Sequence, residues 1–187
     1  MAIESAPPAA TTGATASAFV RSDTVIASEG RIVEVLGQQM MSVGWSNPTP
    51  CGTPRETSEE QLEQMLEAAI AELDDPGQAI FNVHAPPKNS RLDRCPRLDP
   101  SASPTRPTLR GGEPEMYAAG SSAVAEAIRE YQPLLGLHGH IHGSPGARKI
   151  GRTLCINPGS EYRDAALLGA VVSLAAGKVV KYQLTRG

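Results

Sequence analysis

The sequence predicts an α/β domain with a mixed sheet, and three patterns carry this prediction. Short apolar runs typical of buried strands alternate with two amphipathic segments of helical period in the middle of the chain. The C-terminal part contains consecutive runs separated by turn residues, which is typical of hairpins. Helical crossovers favour parallel strand pairs and hairpins are antiparallel, so we expect both kinds of pairing in one sheet.

The composition is that of one globular domain. The chain has 187 residues, of which 40% are hydrophobic and 20% charged, so it contains enough apolar material for a core. The net charge is -3 and no block of Lys and Arg is present, so we expect no nucleic-acid patch. No apolar run approaches the roughly 18 residues of a membrane span, so we expect no membrane association.

The cysteines and the N-terminus bear on the cellular compartment. Cys51, Cys95 and Cys155 are odd in number and far apart, which favours reduced thiols over a disulfide framework. The first residues contain neither the basic nor the apolar region of a secretory signal. We therefore expect a cytoplasmic protein.

The chain divides into a leader and a folded part. Residues 1–21 are mostly Ala, Thr, Ser and Pro without a period, and we interpret them as a disordered, low-complexity leader. Residues 22–187 carry the apolar patterns and are assigned to one domain.

In the first half, the patterns predict strands followed by a helix. Strands are expected at 24–27, 31–36 and 40–45, with turn residues between them. A proline-rich loop follows, and Thr57 with Glu60 forms a possible capping box. Apolar side chains then recur at spacings of three and four, namely Leu62, Met65, Leu66, Ala69, Ile70 and Leu73.

The second half continues the alternation. A buried strand at 79–83 ends at His84, and the long, proline-rich segment 85–119 is expected to be an irregular functional loop. Ser121 or Ser122 begins a second helix that ends near Tyr131. Further strands are predicted at 134–139, in a hairpin over 148–157, and at 167–174 and 179–184.

Three of the four histidines follow predicted strands. His84 ends one strand, and Gly139-His140-Ile141-His142-Gly143 follows another. In a strand, residues i and i+2 point to the same side, so we expect His140 and His142 to present both imidazoles to one space. If the two strands are neighbours, their carboxyl ends meet and the imidazoles converge. Imidazole nitrogens suit Zn²⁺, Fe and similar ions, so the pattern indicates a metal site.

These motifs, in this order, resemble a known family. A strand followed by His84-Ala85-Pro86-Pro87, then the Gly-His-x-His pattern, then Asn157-Pro158-Gly159-Ser160, is similar to the last metal motifs of calcineurin-like metallophosphoesterases. The resemblance covers residues 22–187. It implies the C-terminal part of a four-layer α-β-β-α sandwich with a mixed sheet, and hydrolysis of phosphomonoesters or phosphodiesters by a metal-activated water.

The resemblance also implies roles for individual residues. His84 and His140 would ligate one metal ion and His142 a second, with Mn²⁺, Fe or Zn²⁺ as the candidate ions. The substrate would be a phosphoester small molecule or a nucleotide. Asn157 and Ser160 would lie beside the site, although a plain Pro-Gly turn is an equal explanation for them.

The chain departs from the family in its acidic motifs. Asp-x-His, Gly-Asp-x-x-Asp and Gly-Asn, which precede the histidines in the family, are missing, so no catalytic residue can be named and activity is expected to be impaired. A complementing chain would supply the missing ligands. Alternatively, copies of this chain would associate through strand edges that are left exposed. The alternative is an inactive remnant that binds at most one metal, or an interaction module.

Simpler explanations stand beside these hypotheses. His138 is expected to be structural, or to support the ligands from behind. The long loop contains three arginines, Arg91, Arg94 and Arg97. They would bind substrate phosphates, or they would only be exposed to solvent. Loop carboxylates could replace the missing ones, although no spacing favours them, and these are Asp93, Asp99, Glu113 and Asp164.

Overall fold

The computed structural model describes residues 27–50, 52–99, 101–103 and 106–187. The predicted leader, 1–21, and all but the last residue of the predicted first strand lie outside the described residues. Fourteen short strands and two α-helices are present in the described part.

A six-stranded mixed sheet forms the centre, as the sequence predicts. Its strands, in spatial order, are β1 (Val33–Val35), β2 (Gln38–Val43), β3 (Ile80–Val83), β10 (Leu135–Leu137), β12 (Thr153–Asn157) and β11 (Gly146–Ile150). The inner pairs β2–β3, β3–β10 and β10–β12 are parallel, and the outer pairs β1–β2 and β11–β12 are antiparallel. The carboxyl ends of β3 and β10 therefore lie side by side.

Helix α1 (Glu59–Ile70) begins one residue later than the capping pattern predicts. Ser58 is extended and its side chain accepts a hydrogen bond from the Gln61 backbone N–H, so Ser58 and not Thr57 is the N-cap. Leu62, Leu66 and Ile70 are buried at spacings of four, which confirms the predicted apolar stripe.

Helix α2 (Ser122–Tyr131) confirms the second predicted helix, with Ser121 as its N-cap. The carboxylate of Glu59 accepts hydrogen bonds from the Ser121 hydroxyl and from the backbone N–H groups of Ser122 and Ala123. An acidic side chain stabilises a helix N-terminus through these donors and the helix dipole. This contact fixes the start of α1 against the start of α2.

The sheet is covered on both faces. Side chains of α1 and α2 pack with Met41, Phe81 and Val83 in one apolar cluster. The long hairpin of β13 (Leu168–Ala175) and β14 (Lys178–Arg186) packs on a second cluster that contains Ile80 and Ile156. Helices, a central sheet and a second sheet therefore follow one another, which is compatible with part of an α-β-β-α sandwich.

The predicted irregular segment 85–119 contains nested two-stranded pairs instead. Each strand has only two or three residues, and proline occurs in several of them, so no period marks them in the sequence. The pairs are β4 (Arg94–Pro96) with β9 (Met116–Ala118), β5 (Leu98–Asp99) with β6 (Arg106–Pro107), and β7 (Leu109–Arg110) with β8 (Glu113–Pro114). Arg97 forms an ion pair with Glu115 at 3.6 Å, so this arginine is engaged within the segment.

One described cysteine lies in the core of the domain. Cys155 is fully buried, and Cys51 lies outside the described residues. Burial raises the pKa of the Cys155 thiol to about 12, so it acts as a core side chain. Among the described residues, the helices are too short or too polar to cross a membrane.

Candidate metal centre

His84 and His140 lie together at the carboxyl edge of the sheet. The register of the parallel pair β3–β10 places Leu137 opposite Asn82, so the two chains leave the sheet side by side. The Gly139 backbone N–H continues the pairing and donates to the His84 carbonyl at 2.9 Å. The ring centroids of His84 and His140 are 5.1 Å apart, with the ring planes at 66°.

One nitrogen of this pair is buried without a partner. Nε2 of His140 is shielded from solvent and accepts or donates no hydrogen bond among the described residues. Leaving a buried polar atom unpaired costs about 1–3 kcal/mol, so native structures rarely do so without a reason. A nitrogen in this condition beside a second imidazole fits a position that ligates an ion.

The strand argument for His140 and His142 is wrong. Strand β10 ends at Leu137, and His140 has a φ of 62°, in the left-handed region. The backbone therefore turns between the two histidines, and the spacing of two residues does not place them on one face. His142 is exposed and its ring contacts Tyr162 edge-on, with the centroids 5.6 Å apart.

The pKa values of all three imidazoles are lowered, which favours the neutral form. Desolvation by the surrounding protein, and then the charges that His140 and His142 would carry, lower the pKa of His84 to about 4, although the residue is exposed to solvent. Desolvation also lowers the pKa of His140 and of His142. Metals bind the neutral imidazole. All three side chains are therefore mainly in the protonation state that metal binding requires at neutral pH.

Glu56 is an acidic neighbour that the sequence patterns did not indicate. Burial by itself would raise the pKa of this carboxyl, but hydrogen bonds from Thr49 and Thr53 outweigh burial and lower the pKa to about 2. The ionised carboxylate opposes the lowering of the His140 pKa, which shows that the two groups are close enough to interact. Glu56 lies in a proline-rich loop without any periodic pattern, so only the tertiary structure reveals this proximity.

His138 has the structural role that was expected. It is buried, and its Nδ1 lies 3.0 Å from the Val83 carbonyl and 3.1 Å from the Ala85 carbonyl. These contacts identify Nδ1 as the protonated nitrogen. Desolvation lowers its pKa to about 4, against the opposing effect of the two hydrogen bonds.

Asn157 and Ser160 hold the histidine loop from behind. The Asn157 amide is fully buried and donates to the carbonyls of Leu92 and Ile141. The Ser160 backbone N–H donates to the His142 carbonyl at 3.2 Å. Both residues thus fix the backbone of the loop, and a direct role of their side chains in the site stays a prediction.

The described residues do not by themselves form a complete metal site. No group of three or more His, Cys, Asp or Glu side chains in the described part of the chain is arranged to hold one ion. Of the loop carboxylates considered as substitutes, Asp93 accepts hydrogen bonds from its own loop and Asp99 from Ser101. The His84–His140 pair contains two imidazoles, whereas a zinc centre has three or four protein ligands.

Comparison with known proteins places the fold more firmly than the function. No family model matches the chain. The uncharacterized protein MJ1162 of Methanocaldococcus jannaschii is 28% identical over 131 residues, which are 68% of this chain and 51% of the relative. The chain therefore spans about half the length of this curated relative.

Solved structures give a similar result. One crystal structure superposes with a TM-score of 0.53 at 16% identity, covering 87% of this chain and 54% of that chain. TT1561 of Thermus thermophilus superposes with a TM-score of 0.48 at 19% identity. The match covers 86% of this chain and 57% of TT1561. The sulfate thiohydrolase SoxB of the same organism superposes with a TM-score of 0.40 at 20% identity. The match covers 83% of this chain and 24% of SoxB. The first likeness shows that the α/β fold recurs as about half of a larger protein.

Proposed function

We propose that this chain contributes to the metal centre of a metal-dependent phosphoesterase, with His84, His140 and His142 as its ligands. The observation that supports this most is the His84–His140 pair at the carboxyl ends of two adjacent parallel strands. Sites in α/β proteins form at such ends. The order of the histidine motifs in the sequence, which resembles the metallophosphoesterases, supports the same function independently.

The chemistry follows from the donor set. A bound Mn²⁺, Fe or Zn²⁺ ion would act as a Lewis acid on a phosphoryl oxygen and would lower the pKa of water. Within this chain, His84 and His140 would bind the ion through neutral nitrogens, and the negative charge of Glu56 would favour a cation nearby. Asn157 would keep the loop of His140 in position through its hydrogen bond to Ile141.

The same geometry predicts weak activity for the chain by itself. Two-metal hydrolysis needs ligands to both ions, and the acidic motifs that would supply them are not present in the sequence. We therefore expect slow hydrolysis unless carboxylates come from a complementing chain. The second candidate function is an inactive remnant that binds at most one ion, and the incomplete ligand set of the described residues favours it.

Metal stoichiometry tests both candidates. The purified chain would be loaded with Mn²⁺ or Zn²⁺, desalted and measured by elemental analysis, together with His84→Ala, His140→Ala and the control Glu126→Ala. Glu126 is an exposed acidic residue on α2, outside the proposed site. We expect at least one ion per wild-type chain and at least about tenfold weaker binding in either histidine variant, with the control unchanged.

Hydrolysis of bis(p-nitrophenyl) phosphate by the loaded protein then separates the two candidates. Metal-dependent turnover that both histidine variants abolish supports the phosphoesterase. Binding of one ion without turnover supports the remnant. Equal metal binding by wild type and His140→Ala would contradict a centre at these histidines.

A further inference from the structure

A second polar region of the molecule is strongly basic. A pocket of about 340 Å³ is lined by eight residues, and its lining contains no Asp or Glu among the described residues. None of the histidines of the candidate metal centre belongs to it. Five of its lining residues are basic, namely Lys88, Arg91, Arg129, Arg148 and Lys149.

The basic residues come from three separate elements. Lys88 and Arg91 lie in the loop after β3, Arg129 lies near the end of α2, and Arg148 and Lys149 lie on the edge strand β11. The chain as a whole carries a net charge of -3. The positive charge of the pocket is therefore local, and folding collects it from positions that form no basic block in the sequence.

These cations form no ion pairs within the part of the chain that the structure describes. The ion pairs found there involve Arg55, Arg97 and Arg186, and none of the five pocket cations. Like charges that share a concave surface repel one another, and they raise the local concentration of anions. A cluster of this kind is stabilised when an anion binds.

Simpler explanations account for only part of the cluster. Charged residues on an edge strand such as β11 discourage pairing with other chains. Arg129, in the last turn of α2, complements the helix dipole. Neither argument explains why Lys88 and Arg91 face the same pocket.

The loop that carries Lys88 and Arg91 is rigidly held. Asn89 and Arg91 both have positive φ values, 62° and 67°, which are uncommon for residues other than glycine. The buried carboxylate of Asp93 compensates by accepting from their backbone N–H groups at 2.8 and 3.1 Å. The Ser144 hydroxyl donates to the Arg91 carbonyl at 3.1 Å. Strained backbone that its surroundings hold in place is typical of binding sites.

We propose that this pocket binds a small molecule with two or more phosphate groups, and that it does so independently of the metal centre. Its volume lies near the lower end of the range for ligand pockets, about 300–1,000 Å³. Arginine and lysine are the side chains that bind phosphate most strongly. Five cations exceed what one phosphate monoanion would neutralise, which favours a ligand with several charges.

Calorimetric titration with inorganic pyrophosphate tests the proposal. The protein would be stripped of metal on a chelating resin, so that binding through an ion at the histidines does not contribute. We expect one pyrophosphate per chain, weaker binding of orthophosphate, and unchanged binding in His140→Ala. The double variant Lys88→Gln/Lys149→Gln should weaken pyrophosphate binding at least about tenfold, because each lysine supplies a charge-assisted hydrogen bond to the anion.

A matched control separates the pocket from general charge. Lys178→Gln/Lys181→Gln removes the same number of lysines from exposed positions of β14 and should leave binding unchanged. Equal weakening in both double variants, or no saturable binding at low ionic strength, would overturn the proposal. Binding of a single-stranded oligonucleotide that pyrophosphate does not displace would also overturn it, because the surface would then recognise a polymer.

Discussion

One residue separates His138 from His140, and the two side chains lie in contrasting regions. His138 is buried directly after β10, and its Nδ1 contacts the carbonyls of Val83 and Ala85. His140 lies beyond the end of the strand, in a left-handed backbone conformation, with its ring against that of His84. Desolvation lowers the pKa of both imidazoles.

The contrast shows that burial and a perturbed pKa do not by themselves identify a functional histidine. Both residues have an Nε2 without a hydrogen-bond partner among the described residues. The difference is the neighbour of the ring. The ring of His140 contacts a second imidazole, that of His84, at the edge where the parallel strands end. His138 connects two strands, and its removal should affect stability first. His140 should affect ligand binding first.

The largest expected effect is on stability, from His138→Ala. The change removes both carbonyl contacts and leaves a cavity in the interior, so we expect a loss of about 3 kcal/mol in the free energy of unfolding. Urea denaturation measures it. The control His142→Ala removes an exposed ring of the same type and should cost less than about 1 kcal/mol. Similar losses of unfolding free energy in both variants would contradict a structural role that is specific to His138.

The next effect is a dependence of stability on pH. The pKa of His138 is lowered from 6.5 to about 4 by burial, so between these values the unfolded chain binds a proton that the folded chain excludes. Stability is therefore complete above the ordinary pKa and decreases as the pH falls toward the folded value. For this residue we expect a loss of about 2 kcal/mol between roughly pH 7 and pH 5.

Comparison with His138→Gln measures this contribution together with a smaller one from His84, whose pKa the charge of His138 also lowers. Urea denaturation of the metal-free proteins at both pH values gives the difference. The wild type should lose more stability on acidification than the variant. Parallel losses would indicate that His138 is accessible to protons in the folded state.

The smallest expected effect is that of Gly136→Ala on stability. Gly136 lies on β10, two residues before His138. A Cβ at Gly136 would lie 2.8 Å from Nε2 of His138 and 3.0 Å from the Cys155 sulfur, closer than real contacts allow. We expect Gly136→Ala to cost about 1–2 kcal/mol through displacement of the imidazole. Gly143→Ala is the matched control, because a Cβ there meets no atom within 4 Å. Thermal unfolding compares the two, and equal melting temperatures would contradict tight packing around His138.

Much of the fold could be predicted from local patterns. The apolar stripe of α1, the serine that begins α2 and the hairpin of β11 and β12 are all readable as periodicity or turn residues. The failures have physical causes. The segment 85–119 pairs in strands of two or three residues, which are too short to show alternation. The helix cap is Ser58 and not Thr57, because the Ser58 side chain accepts from the Gln61 backbone N–H while the Thr57 hydroxyl donates to the Gln61 side chain.

The site was predicted in part. His84 and His140 do lie together, because β3 and β10 are neighbours, which was the stated condition. The position of His142 was inferred from a strand that ends before it, so that argument failed at the turn. Glu56 and the basic pocket were missed, since residues far apart in sequence form them.

By itself, then, the sequence determined the two helices and the main sheet strands, and that histidines follow two of those strands. These properties depend on contacts within a few residues, where side-chain period and capping dominate. Tertiary structure decided which strands are neighbours, how the backbone turns at His140, and which cations share a pocket. These features depend on contacts between distant residues, whose energies no local pattern records.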